Sequence, residues 1–155
     1  MKLFLVRHGE AVSPNVDPER PLSVPGKATV TKVGKHLKGL GIKVTDIRCS
    51  TKARALQTAQ IIAGEIAPGR AAAETQGLKP NDPVEPVAQE LESAKWDTMI
   101  VGHLPFLPTL AARLLGESKP PEPLGFPTAG VVALVRNEEG IWSAEFQIWP
   151  EQIKD

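Results

Sequence analysis

Apolar residues follow two rhythms along this chain of 155 residues. Short unbroken apolar runs alternate with stretches in which apolar positions recur every three or four residues. Leu3-Phe4-Leu5-Val6 is an unbroken run, the mark of a strand buried on both faces. Residues 10–21 are polar and carry Pro14, Pro18 and Pro21, so they form a loop. Ser23 offers a helix N-cap with Pro25 in the first turn. Val30, Val33, Leu37 and Leu40 then recur at helical spacing, and Gly39 and Gly41 end the run.

The alternation continues. Residues 44–50 predict a second strand, with Cys49 as a small core residue. Ser50 is expected to cap a second helix that turns Leu56, Ala59, Ile62 and Ile66 inward. Residues 67–82 predict a connection with one short strand near Ala72–Glu74. Asn81 or Asp82 is expected to cap a third helix with Val84, Val87, Ala88 and Leu91 inward, and Trp96 beyond it is expected in the core. Thr98-Met99-Ile100-Val101 predicts a further buried strand, followed by a helix after Pro105 with Leu107, Leu110, Ala111, Leu114 and Leu115. A stiff, proline-rich loop spans Glu117–Pro127, with Pro120-Pro121 as a spacer. Strands at 130–136 and 143–149 flank Asn137-Glu138-Glu139-Gly140 and predict an antiparallel hairpin, with Trp142 and Trp149 packing on it. Strands alternating with helices imply an α/β fold, a three-layer α/β/α sandwich with a mostly parallel sheet and an antiparallel edge, in one domain over residues 1–155.

Charge narrows the function. Lys plus Arg equals Asp plus Glu at 18 each, so a broad nucleic-acid footprint, which needs surplus cations, is not expected. One cysteine excludes an internal disulfide. The apolar run after Lys2 is too short for a secretory signal and no stretch approaches a membrane span, so the expected location is cytoplasmic. His36 and the nearby Lys32, Lys35 and Lys38 are expected to form a solvated helix face.

Three segments carry the candidate chemistry: Arg7-His8-Gly9 after the first strand, Ser50-Thr51-Lys52-Ala53-Arg54 after the second, and Gly102-His103 after the strand at 98–101. If those strands are parallel neighbours, two histidines, two arginines and helix amino termini meet at one sheet edge, where α/β sheets bind ligands. Arginine forks and helix N-termini suit phosphoryl oxygens. No Asp/Glu cluster suits magnesium and no Cys/His spacing suits zinc, so no metal or cofactor is expected.

These residues resemble the histidine phosphatase superfamily, the group that includes the phosphoglycerate mutases, and within it the SixA-type phosphohistidine phosphatases. The likeness rests on Arg7-His8-Gly9-Glu10-Ala11, Arg20-Pro21-Leu22-Ser23 with Gly26, Ser50 with Arg54-Ala55 and Gln57-Thr58, Gly102-His103-Leu104-Pro105, and Phe126-Pro127-Thr128-Ala129. It implies a phosphoglycerate mutase-like fold and a covalent phosphohistidine on His8, with Arg7, Arg54 and His103 binding the phosphoryl oxygens. It also marks Arg20, Gly9 and Thr128 as substrate-binding candidates. His8 must be neutral to attack, with its second nitrogen held by an acceptor such as a backbone carbonyl, whereas His103 is expected to work as a cation. Mutase-like relatives use a carboxylic acid to protonate the leaving group. Here Asp82 and Glu85 are the candidates, with Glu74 behind them, and none is a clear match. A weak acid and short connections favour phosphohistidine on a signalling protein as substrate, with phosphate ion in the site. The alternatives are a phosphatase for small phosphomonoesters or pyrophosphates, and a phosphate- or phosphoprotein-binding module without catalysis.

Overall fold

The computed structural model describes residues 1–117 and 126–154. Six strands form one sheet: β1 (Lys2–Arg7), β2 (Asp46–Cys49), β3 (Ala73–Glu74), β4 (Thr98–Gly102), β5 (Val131–Arg136) and β6 (Trp142–Ile148). Their order is β3-β2-β4-β1-β5-β6. The first four run parallel, while β5 pairs antiparallel with both β1 and β6. Four helices lie between strands: α1 (Val24–Gly39), α2 (Ala53–Ile66), α3 (Glu85–Ser93) and α4 (Phe106–Leu115).

Strand geometry explains the two layers of helices. Successive side chains point to opposite faces, so Phe4 and Val6 of β1 enter one core and Leu3 and Leu5 the other. The first core takes Val30, Val33 and Leu37 of α1 with Ala59 and Ile62 of α2. The second takes Val87, Ala88 and Leu91 of α3 with Leu107, Leu110 and Leu114 of α4. The sheet is therefore filled on both sides, as the unbroken runs at 3–6 and 98–101 require. No helix among the described residues is long and apolar enough to cross a membrane.

Local signals set the helix ends unevenly. Ser23 caps α1 as expected, its hydroxyl accepting the Gly26 N–H at 3.0 Å. Leu40, expected on the inner face, is instead the C-cap residue and is exposed, because Gly41 in the left-handed conformation turns the chain away there. Ser50 does not cap α2: the N-cap is Lys52, without a side-chain bond. Neither Asn81 nor Asp82 caps α3, whose N-cap is Val84. The Asp82 carboxylate instead closes its own turn by accepting the Lys79 N–H at 2.9 Å. Trp96 is not in the core. It sits in the turn between α3 and β4, 60% exposed, where neighbouring Lys95 and Asp97 keep the chain at the surface. Trp142 is buried under the Arg136 guanidinium, which also donates to the Leu91 and Ala94 carbonyls at the end of α3. The Pro120-Pro121 spacer lies outside the described residues.

Candidate active site

Register brings the three segments together. Arg7 is opposite Gly102 and Cys49 opposite Val101, so β1, β2 and β4 end at one level. The ladder continues one residue further, with the His8 N–H donating to the Gly102 carbonyl at 2.9 Å and the Ser50 N–H to Val101 at 3.2 Å. His8 and His103 therefore emerge side by side, ring centroids 5.1 Å apart. Both are buried, at 9% and 1% exposure.

His8 is held in one orientation. Its Nδ1 lies 2.7 Å from the Gly9 carbonyl, which can only accept, so Nδ1 carries the proton and Nε2 keeps its lone pair. Burial, opposed by that bond and reinforced by Arg54, Arg7 and Arg20, lowers its pKa to about 4. The imidazole is neutral at pH 7, the state a nucleophile needs.

Gly9 has its own anchor. Its N–H donates to Thr58 Oγ1 at 2.9 Å, and that hydroxyl donates to the Arg54 carbonyl at 2.7 Å. Thr58 is fully buried. The loop that bears His8 is thereby tied to the turn of α2 that bears Arg54. A side chain at position 9 would not fit: a Cβ there would stand 2.5 Å from Val30 Cγ2 on α1.

Cations surround the histidines. Arg7 Nη1 donates to the Phe126 carbonyl at 2.8 Å, while Arg7 Nε and Arg54 Nε are buried without a hydrogen-bond partner. Burial lowers both guanidinium pKa values, with Arg20 adding to the effect on Arg54, yet guanidinium groups stay charged. Arg20 holds a left-handed backbone (φ 49°) and its Nε donates to the Val12 carbonyl at 3.1 Å. The next residue but one is pinned to α2 by the Leu22 N–H donating to Gln57 Oε1 at 2.7 Å. Lys52, at the start of α2, adds a further positive charge near His103. In a chain with no net charge, this clustering of cations is local and marks an anion site.

His103 is held at one edge of its ring. Its Nε2 lies 2.6 Å from Ser50 Oγ, and its Nδ1 is buried without a partner. Burial first, then neighbouring His8, Arg54, Lys52 and Arg7, lower its pKa to about 3, so the ring is neutral at pH 7. Buried donors without partners are costly. Arg7 Nε, Arg54 Nε and one edge of His103 all lack partners around one histidine, and an oxyanion would satisfy them together.

The remaining candidates come from other elements. Thr128 precedes Ala129, which adopts φ 61° and donates its N–H to the Arg7 and His8 carbonyls at 3.0 and 3.1 Å. Glu85 is gripped by Arg113 of α4, with two 2.8 Å contacts that pull its pKa below the usual carboxylate range. A carboxylate so held is a poor proton donor. Glu74 lies exposed on the outermost strand. Among the described residues, no three His, Cys, Asp or Glu side chains are grouped to hold a metal. In the sequence, Ser50, Gln57 and Thr58 belong to the motif around Arg54, and Lys52 lies within it, but the sequence does not show what they touch. Their contacts cross between elements, and no local pattern signals them.

A family model for the histidine phosphatase superfamily (branch 1) matches residues 3–79. The fold is similar to a solved protein histidine phosphatase SixA complexed with tungstate, at 25% identity and TM-score 0.86, covering 99% of this chain and 100% of that one. It is also similar to the alpha-ribazole phosphatase from Shigella flexneri (18% identity, TM-score 0.74, covering 94% and 95%). A third similar structure is a phosphoserine phosphatase mutant from Entamoeba histolytica in complex with phosphoserine (19% identity, TM-score 0.70, covering 94% and 95%). No curated protein sequence matches.

Proposed function

We propose that this chain, which belongs to the histidine phosphatase superfamily, is a phosphatase that carries the phosphoryl group on His8 and acts on phosphohistidine in proteins. One observation carries the chemistry: a neutral His8 with its Nδ1 bound and its Nε2 lone pair free, beside three buried polar nitrogens without partners. His8 Nε2 attacks phosphorus as the bond from phosphorus to the leaving group breaks. Arg7, Arg54 and His103 hold the phosphoryl oxygens, with Arg20 as an added cation and Gly9 and Thr128 lining the approach. Water then attacks phosphorus, releasing phosphate and restoring His8. The charge that metal ions often neutralise in phosphoryl transfer is met here by arginines.

The substrate follows from the leaving group. Asp82 is engaged in its own turn and Glu85 is ion-paired with Arg113, an arrangement that favours a leaving group needing no carboxylic acid. A phosphohistidine ring needs no carboxylic acid in the site: its other nitrogen takes a proton from water, and the group then leaves as neutral imidazole as the N–P bond breaks. The likeness to a protein histidine phosphatase supports the same reading. On this reading the partner is a phosphorylated signalling protein in the cytoplasm. The test has two parts. Wild-type protein mixed with labelled phosphohistidyl protein retains label and His8→Ala does not; label on both, or on neither with no turnover, overturns the His8 intermediate. Faster turnover of small phosphomonoesters than of phosphohistidyl protein overturns the substrate.

A further inference from the structure

Ser50 is completely buried against His103. Its Oγ accepts the Lys52 N–H at 3.3 Å and lies 2.6 Å from His103 Nε2, and it has no other hydrogen bond among the described residues. A neutral imidazole has one N–H and one lone pair, on opposite nitrogens. Suppose Nε2 bore the proton. It would donate to Ser50, the buried serine hydroxyl proton would have no acceptor, and Nδ1 would present a bare lone pair. A phosphoryl oxygen accepts only, so that edge of His103 would repel it. Suppose instead that Ser50 donates to Nε2. Every proton of the pair is then placed, and Nδ1–H remains, buried and unpartnered, as a donor.

We propose that Ser50 is a positioning residue that donates its hydroxyl proton to His103 Nε2 and so holds Nδ1–H ready for a phosphoryl oxygen. The groups facing His103 explain why a neutral donor is needed. Beside the neutral His8, the charges of Arg7 at the end of β1 and of Lys52 and Arg54 at the start of α2 oppose a positive charge on this ring. A tautomer fixed by Ser50 supplies the N–H without that charge. The inference rests on the phosphatase reading of the site, but the tautomer itself can be read without turnover.

The first measurement is long-range 1H–15N correlation on 15N-labelled wild-type protein at pH 7. The expected result is a protonated Nδ1 and an unprotonated Nε2 on His103, and the reverse pattern overturns the proposal. The second is sulfate binding to wild type, Ser50→Ala and Ser50→Thr. The Ser50→Ala variant is expected to bind sulfate about fivefold more weakly at pH 7, as for one lost hydrogen bond, while Ser50→Thr, which keeps the hydroxyl, restores both the wild-type affinity and the Nδ1-protonated tautomer. A Ser50→Ala variant that binds sulfate as tightly as wild type with its His103 tautomer unchanged means that Ser50 only packs, and overturns the proposal. Failed phosphohistidine turnover together with the expected tautomer and sulfate results would refute the substrate and leave the Ser50 inference standing.

Discussion

Replacing Thr58 with valine keeps the shape of the side chain and removes the hydroxyl that joins the His8–Gly9 loop to α2. In the wild type that oxygen accepts the Gly9 N–H at 2.9 Å and donates to the Arg54 carbonyl at 2.7 Å, in a fully buried position. Valine leaves the Gly9 N–H without a partner in a site that water does not reach. An unsatisfied buried donor costs about 1–3 kcal/mol. For a chain of this length each kcal/mol lowers Tm by about 2–4 °C, so a fall of roughly 2–12 °C is expected. The consequence for chemistry travels through the same peptide. The Gly9 carbonyl holds His8 Nδ1, so a loosened Gly9 frees the imidazole to turn and phosphoenzyme formation slows by about tenfold or more. Calorimetric melting and rapid-quench phosphorylation with a phosphoramidate donor measure the two effects. Thr58→Ser retains both hydrogen bonds and is expected to be phosphorylated at close to the wild-type rate. A valine variant that melts within about a degree of wild type and is phosphorylated as fast would refute the coupling.

Other perturbations probe other parts of the site. His8 has a folded pKa of about 4 against an ordinary value of 6.5, so between those values the unfolded chain binds the proton and the folded one does not. Stability from this group is therefore intact above pH 6.5 and is lost as pH falls toward 4, by up to about 3 kcal/mol. Urea unfolding of wild type and His8→Ala across that window should show the smaller acid loss in the variant. Arg54→Lys removes the planar fork and its unpartnered Nε, and is expected to lower kcat/KM for phosphohistidyl protein by about 10²-fold in steady-state assays with little change in Tm. Gly26→Ala places a Cβ about 2.1 Å from the Glu10 carbonyl oxygen, where α1 meets the loop after His8. It should cost about 1–3 kcal/mol in chemical denaturation, and a neutral result would mean that the loop yields without strain.

Much of this architecture is legible in the sequence because it is periodic. Unbroken apolar runs at 3–6 and 98–101 mark the strands covered on both faces, and the spacing of Val30, Val33 and Leu37 marks the buried stripe of α1. Residue type misleads at Leu40, Trp96, Ser50 and Asp82 for one shared reason. All four lie at element boundaries, where a cap, a turn or a cross-element partner outweighs type. Ser50 shows it most clearly: a serine before a helix suggests a cap, yet its hydroxyl is taken by a histidine 53 residues away.

By itself the sequence determined which groups were available: a histidine and an arginine after the first strand, a second arginine after the second, a second histidine after the fourth. It also determined that they would lie at strand ends, because strand ends are set by local apolar periodicity. Only the tertiary structure decided their states. Parallel register put His8 and His103 5.1 Å apart, and burial among cations made both neutral. The carbonyl of Gly9 and the hydroxyl of Ser50 then selected which nitrogen of each ring faces the reaction. Protonation and tautomer depend on dielectric and on partners distant in sequence, so they arise only when the chain is packed.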